Sequence, residues 1–290
     1  MSVLRALGYI VATIALFAGL QFAAVWLGWK PSDGWNSADF IMSDGIGFIA
    51  AFVVALLAAR LEKRNIGEYG LPRVRNAMPL YLEGFLWGAA APAAIMALVI
   101  ACGGASIGGL RFHGAALART ATLAVVAMIM LGFFEEYVFR GYPLHTLARG
   151  IGFWPGSIAL SIAFGLLHYF SKPMEDWMDA TTVSLIALFL CFTIRATGNL
   201  WFAIGFHAAF DLVALYVLGA PNTGNGGQQI PERLLDVRFT GPAWMTGGPR
   251  GLEASAFAFV AIAMLFALYA LRMKKGSRKA ALSRVDVSAG

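Results

Sequence analysis

The chain is poor in charge and in cysteine, and each shortage excludes a class of protein. Only 13% of its 290 residues are charged, whereas 59% are hydrophobic and the mean hydropathy is +0.70. A soluble domain carries about 25% charged residues. The 2 cysteines, Cys102 and Cys191, show no paired spacing, which argues against a disulfide framework and a thiolate metal site. The composition indicates a membrane protein.

Apolar segments long enough, or nearly long enough, to cross a bilayer occur about eight times. A span needs about 20 helical residues. The segments are 7–28, 41–60, 79–101, 120–142, 153–170, 180–196, 199–218 and 253–272. The first exceeds the roughly 7–15 apolar residues of a signal peptide, so we expect a retained anchor. We predict an all-α polytopic membrane protein of about eight transmembrane helices with its site inside the bundle.

Basic residues are distributed unequally between the two sides of this predicted bundle. With the N-terminus inside, 15 of the 22 basic residues fall on the inside and 7 on the outside. The positive-inside rule then places both termini in the cytoplasm, and the tail RMKKGSRK (272–279) would contact anionic lipid of the bilayer. The net charge of +6 forms no basic stripe with interleaved aromatics, so no nucleic acid partner is indicated.

The spans and loops divide the chain into four regions. Residues 1–119 hold helices 1–3 and their loops, and residues 120–218 hold a core of helices 4–7. Residues 219–252 form an external loop, and residues 253–290 hold the last helix and the basic tail. The loop is rich in glycine and proline, a composition that favours a solvated connection over a lid.

Ionisable residues inside the spans are concentrated in three places. Asp44 and Glu83 lie near span edges, where we expect them to be solvated. The three internal groups are Glu135, Glu136 and Arg140; His168; and His207 with Asp211. A charged side chain at the centre of a membrane helix costs about 2.5–3.5 kcal/mol on insertion scales, and such residues usually pair with one another and mark a functional site.

Helical spacing assigns different roles to the two adjacent glutamates. Glu136 and Arg140 are four residues apart in the favoured acid-before-base order, so we predict a structural ion pair. Glu135 is rotated by about 100° around the helix from Glu136. It is therefore left available for chemistry.

The two histidines have neighbours one helical turn away. Asp211 follows His207 by four residues, so it can orient the imidazole or share a ligand with it. Phe164 and His168 share a face in the same way. Glu135 and His168 lie about sixteen residues on either side of the turn near 151–152, which puts them at similar depth in antiparallel helices. These groups can converge on one spot.

Three motifs in this core resemble those of a known family. The stretches EEYVFRG (135–141), FGLLH (164–168) and HAAFD (207–211) match the EExxxR, FxxxH and Hxxx(N/D) motifs of the CPBP intramembrane proteases. This family includes type II CAAX prenyl endopeptidases and bacterial proteins linked to bacteriocin processing and self-immunity. The resemblance runs from about 121 to 218, a third of the chain.

The resemblance implies an intramembrane endopeptidase that acts on a membrane-associated protein or peptide substrate. Glu135 and His168 would activate a water to attack the peptide carbonyl. His207 and Asp211 would stabilise the oxyanion or assist binding. Supporting positions are Glu136, Arg140 and Phe164. The family also suggests a bacterial inner membrane.

The cofactor is left open by the residues themselves. Glu135, His168 and His207 are candidate ligands for Zn²⁺ with an open fourth position. A glutamate mechanism without metal uses the same side chains. The H-E-x-x-H pattern of common zinc proteases does not occur.

Two other functions are compatible with the same buried residues. A non-catalytic scaffold or immunity partner could keep this fold, and a proton-coupled transporter also uses buried Glu, His and Asp. Matching halves with interrupted helices, which are typical of many transporters, are not evident in the sequence. Competent residues at every proposed catalytic position favour the protease over the scaffold.

Overall fold

The computed structural model describes the backbone of residues 1–288 and the side chains of residues 1–275. Part of the predicted basic tail, including Arg278 and Lys279, therefore lies outside the described side chains. The helices are α1 (Ser2–Trp26), α2 (Ser37–Leu61), α3 (Ala77–Ala101), α4 (Gly114–Arg140), α5 (Tyr142–Ile151), α6 (Phe153–Ser171), α7 (Trp177–Thr197), α8 (Trp201–Asp211), α9 (Ala243–Thr246) and α10 (Ala256–Ser288).

Seven helical segments in this part of the chain are long and apolar enough to cross a membrane. The predicted span 199–218 is a shorter apolar helix, Trp201–Val217, in which α8 continues as a π-helix over Leu212–Val217. Large apolar side chains such as Ile14 and Phe22 project from the outside of the bundle, as expected for a surface in contact with lipid. The predicted all-α polytopic membrane protein is confirmed.

The fourth predicted span, 120–142, has different bounds in the structure. Helix α4 begins earlier, at Gly114, and ends at Arg140. Gly141 then adopts ψ −112°, and the separate helix α5 begins at Tyr142. Pro143 lies in the first turn of α5, where a missing N–H breaks no hydrogen bond. The proline thus starts a helix rather than kinking one.

Helix α8 is packed tightly against α3 and α4 through glycines. A Cβ atom on Gly84 or Gly88 of α3 would lie 2.0 Å from the carbonyl oxygen of Phe202 or Phe206 in α8. In α4, a Cβ on Gly132 would lie 3.0 Å from the oxygen of Ile204. Small residues four apart allow such close approach between membrane helices. This packing fixes the position of the helix that carries His207.

Residues 218–255, here called the cap, fold over one end of the bundle. Strand β1 (Ala105–Leu110) pairs antiparallel with β4 (Leu235–Phe239), and the two-residue strands β2 (Pro221–Asn222) and β3 (Gln228–Gln229) pair with each other. The sequence analysis predicted no strands. These ladders lie outside the spans, where backbone groups can pair without helix formation, whereas open sheet edges are not stable in lipid.

Candidate active site

A cavity of about 180 Å³ lies inside the bundle beneath the cap. Helices α4, α6, α7 and α8 supply most of its wall, and Trp35, just before α2, and Phe40, in the first turn of α2, also contribute. All seven residues predicted for the site line this cavity: Glu135, Glu136, Arg140, Phe164, His168, His207 and Asp211. The structure therefore brings together residues from three helices, as the helical spacing predicted.

Glu136 is the anion between two donors. The Arg140 Nη1 atom donates to Glu136 Oε1 at 2.6 Å, and Nδ1 of His207 donates to the same oxygen at 2.7 Å. Side-chain exposure is 0% for Glu136 and 1% for Arg140. The predicted ion pair is present. The contact with His207 was not predicted, and it joins the ion pair to the proposed catalytic groups.

The other nitrogen of His207 faces two further carboxylates. Nε2 lies 3.3 Å from Asp211 Oδ2 and 3.6 Å from Glu135 Oε2. An ionised carboxylate only accepts hydrogen bonds, so the contact with Glu136 fixes a proton on Nδ1. Glu136, rather than Asp211, thus occupies the orienting position behind the imidazole. Asp211 lies beside Nε2, at the point where α8 changes to the π-helix.

Glu135 has few polar contacts within this group. Among the described residues it accepts no hydrogen bond, and its side chain is 24% exposed to the cavity. Its Oε2 atom lies 3.6 Å from Nε2 of His207. The free oxygens of Glu135 can therefore bind a water molecule, which a fully paired carboxylate could not do.

His168 is held by its own helix. Its Nδ1 atom lies 3.0 Å from the carbonyl oxygen of Phe164. A carbonyl accepts, so Nδ1 donates, and Nε2 of the neutral ring keeps its lone pair. The ring centroids of Phe164 and His168 lie 4.5 Å apart. The Arg140 guanidinium lies 5.1 Å from the centroid of the Phe164 ring. Phe164 therefore connects His168 to the Glu136–Arg140 pair.

Asp44 does not have the solvated position expected from the sequence. It is 7% exposed, its Oδ2 atom is buried without a hydrogen-bond partner in the described structure, and it interacts electrostatically with Glu135 and His207. Helix α2 begins at Ser37 with Asn36 as its N-cap, so Asp44 lies two turns inside the helix rather than at its edge. Asn36, the N-cap, was the sequence feature from which the position of Asp44 inside the helix could have been predicted.

The cap forms the roof of the cavity, which corrects the expectation of a merely solvated loop. Residues 220–222, Gly224 and residues 250–253 contribute to the lining. Arg250 is ion-paired with Asp176 and Asp179 at the start of α7. The Thr223 hydroxyl donates to Glu175 at 2.9 Å. These contacts fasten both ends of the cap to the turn between α6 and α7.

Charged groups of both signs lie where the cap meets the helices. Burial raises the pKa of Glu253 to about 7; Lys172 opposes this shift and Asp211 adds to it. Lys172 Nζ lies 3.8 Å from Glu175. Both Lys172 and Glu253 line the cavity, so basic and acidic groups border it where the cap meets the helices.

The fit of a metal ion can be tested against these donors. In the described part of the chain, no group of three or more His, Cys, Asp or Glu side chains is arranged to hold a metal ion. The candidate ligands Glu135, His168 and His207 thus line one cavity without forming a ligand set.

Comparison with known proteins identifies the core. Residues 117–213 match the family model described as type II CAAX prenyl endopeptidase Rce1-like. The chain has no significant match among curated proteins or solved structures. The matched segment includes all three motifs. The resemblance to the CPBP family is therefore confirmed: this integral membrane protein contains a core similar to the type II CAAX prenyl endopeptidases, which supports an intramembrane CAAX-type protease.

Proposed function

We propose that this protein is an intramembrane endopeptidase in which Glu135 and His168 activate a water molecule. The carboxylate of Glu135 takes a proton from the water, and the resulting hydroxide attacks the carbonyl carbon of a peptide bond. Glu135 then returns the proton to the leaving amine as the bond breaks. General acid–base catalysis of this kind contributes about 10²–10⁴-fold to a rate.

His207 would stabilise the oxyanion of the tetrahedral intermediate. Glu136 holds its Nδ1–H, so a proton on Nε2 can be donated into the cavity. Preorganised donors of this kind act strongly where bulk water is excluded. Asp211 supports this role by stabilising a protonated Nε2 from 3.3 Å. In this proposal Glu136 is a positioning residue that acts through His207.

One observation carries the proposal. A glutamate without hydrogen-bond partners in the described structure lies 3.6 Å from a histidine whose other nitrogen is fixed by a buried ion pair. Both line a cavity that also contains a second histidine with a free lone pair. A base, a water-binding space and an oxyanion donor are the parts that peptide hydrolysis needs.

The substrate in this proposal is a membrane-associated protein or peptide, and prenylation of that substrate is not required. Aliphatic side chains of α7 also line the cavity, among them Val183, Ile186 and Leu190. Such a wall would bind apolar residues next to the cleaved bond. We further propose that the membrane is a bacterial inner membrane with both termini in the cytoplasm.

The test compares purified wild type with Glu135→Gln on libraries of membrane peptides, each with and without chelator. We expect cleavage by wild type that is lost in the variant and that is unaffected by the chelator. Equal cleavage by both proteins would remove Glu135 as the base. Loss of wild-type activity in chelator, restored by Zn²⁺, would instead assign the chemistry to a metal.

A further inference from the structure

The cap supplies three polar side chains to the roof of the cavity: Asn222, Arg250 and Glu253. Glu253 belongs to the short 3₁₀-helix Leu252–Ala254. The residues on either side of it, Leu252 and Ala254, are buried, and the Ala254 N–H donates to the carbonyl oxygen of Gly251 at 3.0 Å. Packing and this turn therefore fix the backbone that carries Glu253.

The cations on the cavity lining already have anionic partners. They are Arg140 with Glu136, Lys172 with Glu175, and Arg250 with Asp176 and Asp179. The partners of Lys172 and Arg250 are not lining residues. Two of the three positive charges are thus neutralised from outside the cavity, which leaves them less able to neutralise carboxylates within it.

The carboxylates on the lining are Glu135, Glu136, Asp211 and Glu253. Glu136 is paired with Arg140, and both Glu135 and Asp211 face Nε2 of His207. Glu253 differs from these three, because it forms no ion pair or hydrogen bond with the part of the chain that the structure describes. Unpaired negative charge on the roof is therefore concentrated at this residue.

The surroundings of Glu253 oppose its ionisation in the protein alone. Burial raises the pKa of Glu253 to about 7; Asp211 and Glu175 add to this shift and Lys172 opposes it. A cation bound beside a carboxylate favours the ionised form. A positively charged ligand would thus offset a cost that the empty roof leaves in place. The influence of Asp211 also shows that Glu253 lies within electrostatic range of the proposed catalytic groups.

Asn222 provides an independent sign of a ligand at the roof. Its Nδ2 atom is buried and has no hydrogen-bond partner in the described structure. An amide nitrogen only donates, and a buried donor without an acceptor costs free energy. The carbonyl oxygen of a bound polypeptide is an acceptor that would fit it.

We propose that Glu253 is a specificity-determining residue, which binds a lysine or arginine side chain of the substrate near the cleaved bond. The proposed catalytic groups all lie within the matched segment 117–213, whereas Glu253 lies outside it. In this chain the cap would therefore select the substrate and the core would cleave it. The inference rests on the proposed function for cleavage of that substrate, but not for its binding.

Binding is measured on the full chain in nanodiscs of zwitterionic lipid, in the Glu135→Gln background so that cleavage is suppressed. The probes are fluorescent, N-acetylated peptides with an apolar membrane anchor. In each peptide one position is lysine, norleucine or glutamate, and this position is moved along the sequence. Empty nanodiscs correct for binding to lipid, and mass spectrometry confirms that the peptides stay intact.

We expect a lysine at one position to bind at least about tenfold more tightly than norleucine, the lower end of what close charge pairs contribute across an interface. Adding Glu253→Gln should remove this preference. Adding Glu253→Lys should instead favour the glutamate peptide at the same position. Asp236→Asn is the matched control, because Asp236 is a cap carboxylate that is 50% exposed and does not line the cavity; the preference for lysine should persist in it.

Two results would overturn the inference. One is equal binding of the lysine and norleucine peptides at every position, including no measurable binding of either. The other is a preference for lysine that persists in both Glu253 variants. Since binding is measured without catalysis, a protein that selects lysine but cleaves nothing would refute only the proposed function. Cleavage by wild type without selection of lysine would refute only the role of Glu253.

Discussion

Two clusters of ionisable side chains in this protein use the same residue types in opposite ways. At the end of α2, both oxygens of Glu62 are occupied: Tyr142 donates at 2.6 Å and Tyr69 at 2.7 Å, with Arg149 at 3.4 Å. In the cavity, by contrast, Glu135 accepts no hydrogen bond from the described residues. One oxygen of Glu136 is also buried without a partner there.

The number of hydrogen-bond partners distinguishes a carboxylate that stabilises the fold from one that is available for catalysis. A carboxylate with every lone pair occupied joins helices and has nothing left to bind a substrate or water. A buried carboxylate without partners costs free energy, so a fold that keeps one has a use for it. On this argument, substitutions at Glu62 act on stability, whereas substitutions at Glu135 act on activity.

The largest expected effect is on the rate of Glu135→Gln. Because the amide cannot take a proton from water, cleavage should fall by about 10³-fold, within the range for general acid–base groups. The apparent unfolding temperature in detergent should stay close to that of wild type, since Glu135 forms no hydrogen bond that would be lost. A large fall in that temperature with the rate loss would mean that Glu135 is structural, and the comparison would fail.

Glu136→Gln should reduce both the cleavage rate and the stability of the fold. Glu136 belongs to the buried ion pair and also holds His207. Removing one partner of a buried pair costs about 3–5 kcal/mol, which should appear as a lower free energy of unfolding in a denaturant titration. The double substitution Glu136→Gln/Arg140→Met removes the unpaired guanidinium and should recover part of the stability. It should not recover cleavage, because His207 is still without its anion. Recovery of both would show that Glu136 has no positioning role.

Glu62→Gln should affect stability alone. Hydrogen bonds to charged groups are worth about 1.5–3 kcal/mol each, and the neutral amide weakens those from Tyr142 and Tyr69. We expect a loss of about 2 kcal/mol in the free energy of unfolding, with the cleavage rate of the remaining folded protein unchanged. Arg75→Gln, exposed in the loop between α2 and α3, is the matched control and should leave both unchanged.

The smallest expected effect is on the acid dependence of stability. Burial of Glu62 opposes its ionisation, but the donors Tyr142, Tyr69 and Arg149 outweigh burial and hold the pKa of Glu62 below its ordinary value of 4.5. The stabilisation is therefore present above pH 4.5 and is lost as the pH falls through the lower pKa of the folded state. Thermal unfolding of wild type between pH 6 and 3 should show this loss. In Glu62→Gln the unfolding temperature should fall less steeply with decreasing pH than in wild type. An equally steep fall would show that Glu62 is not the source of this pH dependence.

The sequence predicted the membrane class and the Glu136–Arg140 ion pair because both depend on local pattern. Apolar length identifies a span without knowledge of its neighbours, and a spacing of four residues places Glu136 beside Arg140 in any helix. The GxxxG pattern at Gly84–Gly88 was also readable, although the sequence analysis did not use it. It was the signal that α8 approaches α3 closely.

The tertiary structure decided the contacts between helices that no spacing can specify. Whether His207 turns Nδ1 toward Glu136 or Asp211 depends on how α8 is packed against α4, and the glycine contacts fix that packing. The burial of Asp44 and the closure of the cap over the cavity likewise depend on distant partners, such as Arg250 with Asp176. Local pattern along the chain thus determined which ionisable residues lie inside the membrane helices. Packing between helices decided which of them were paired and which were left free.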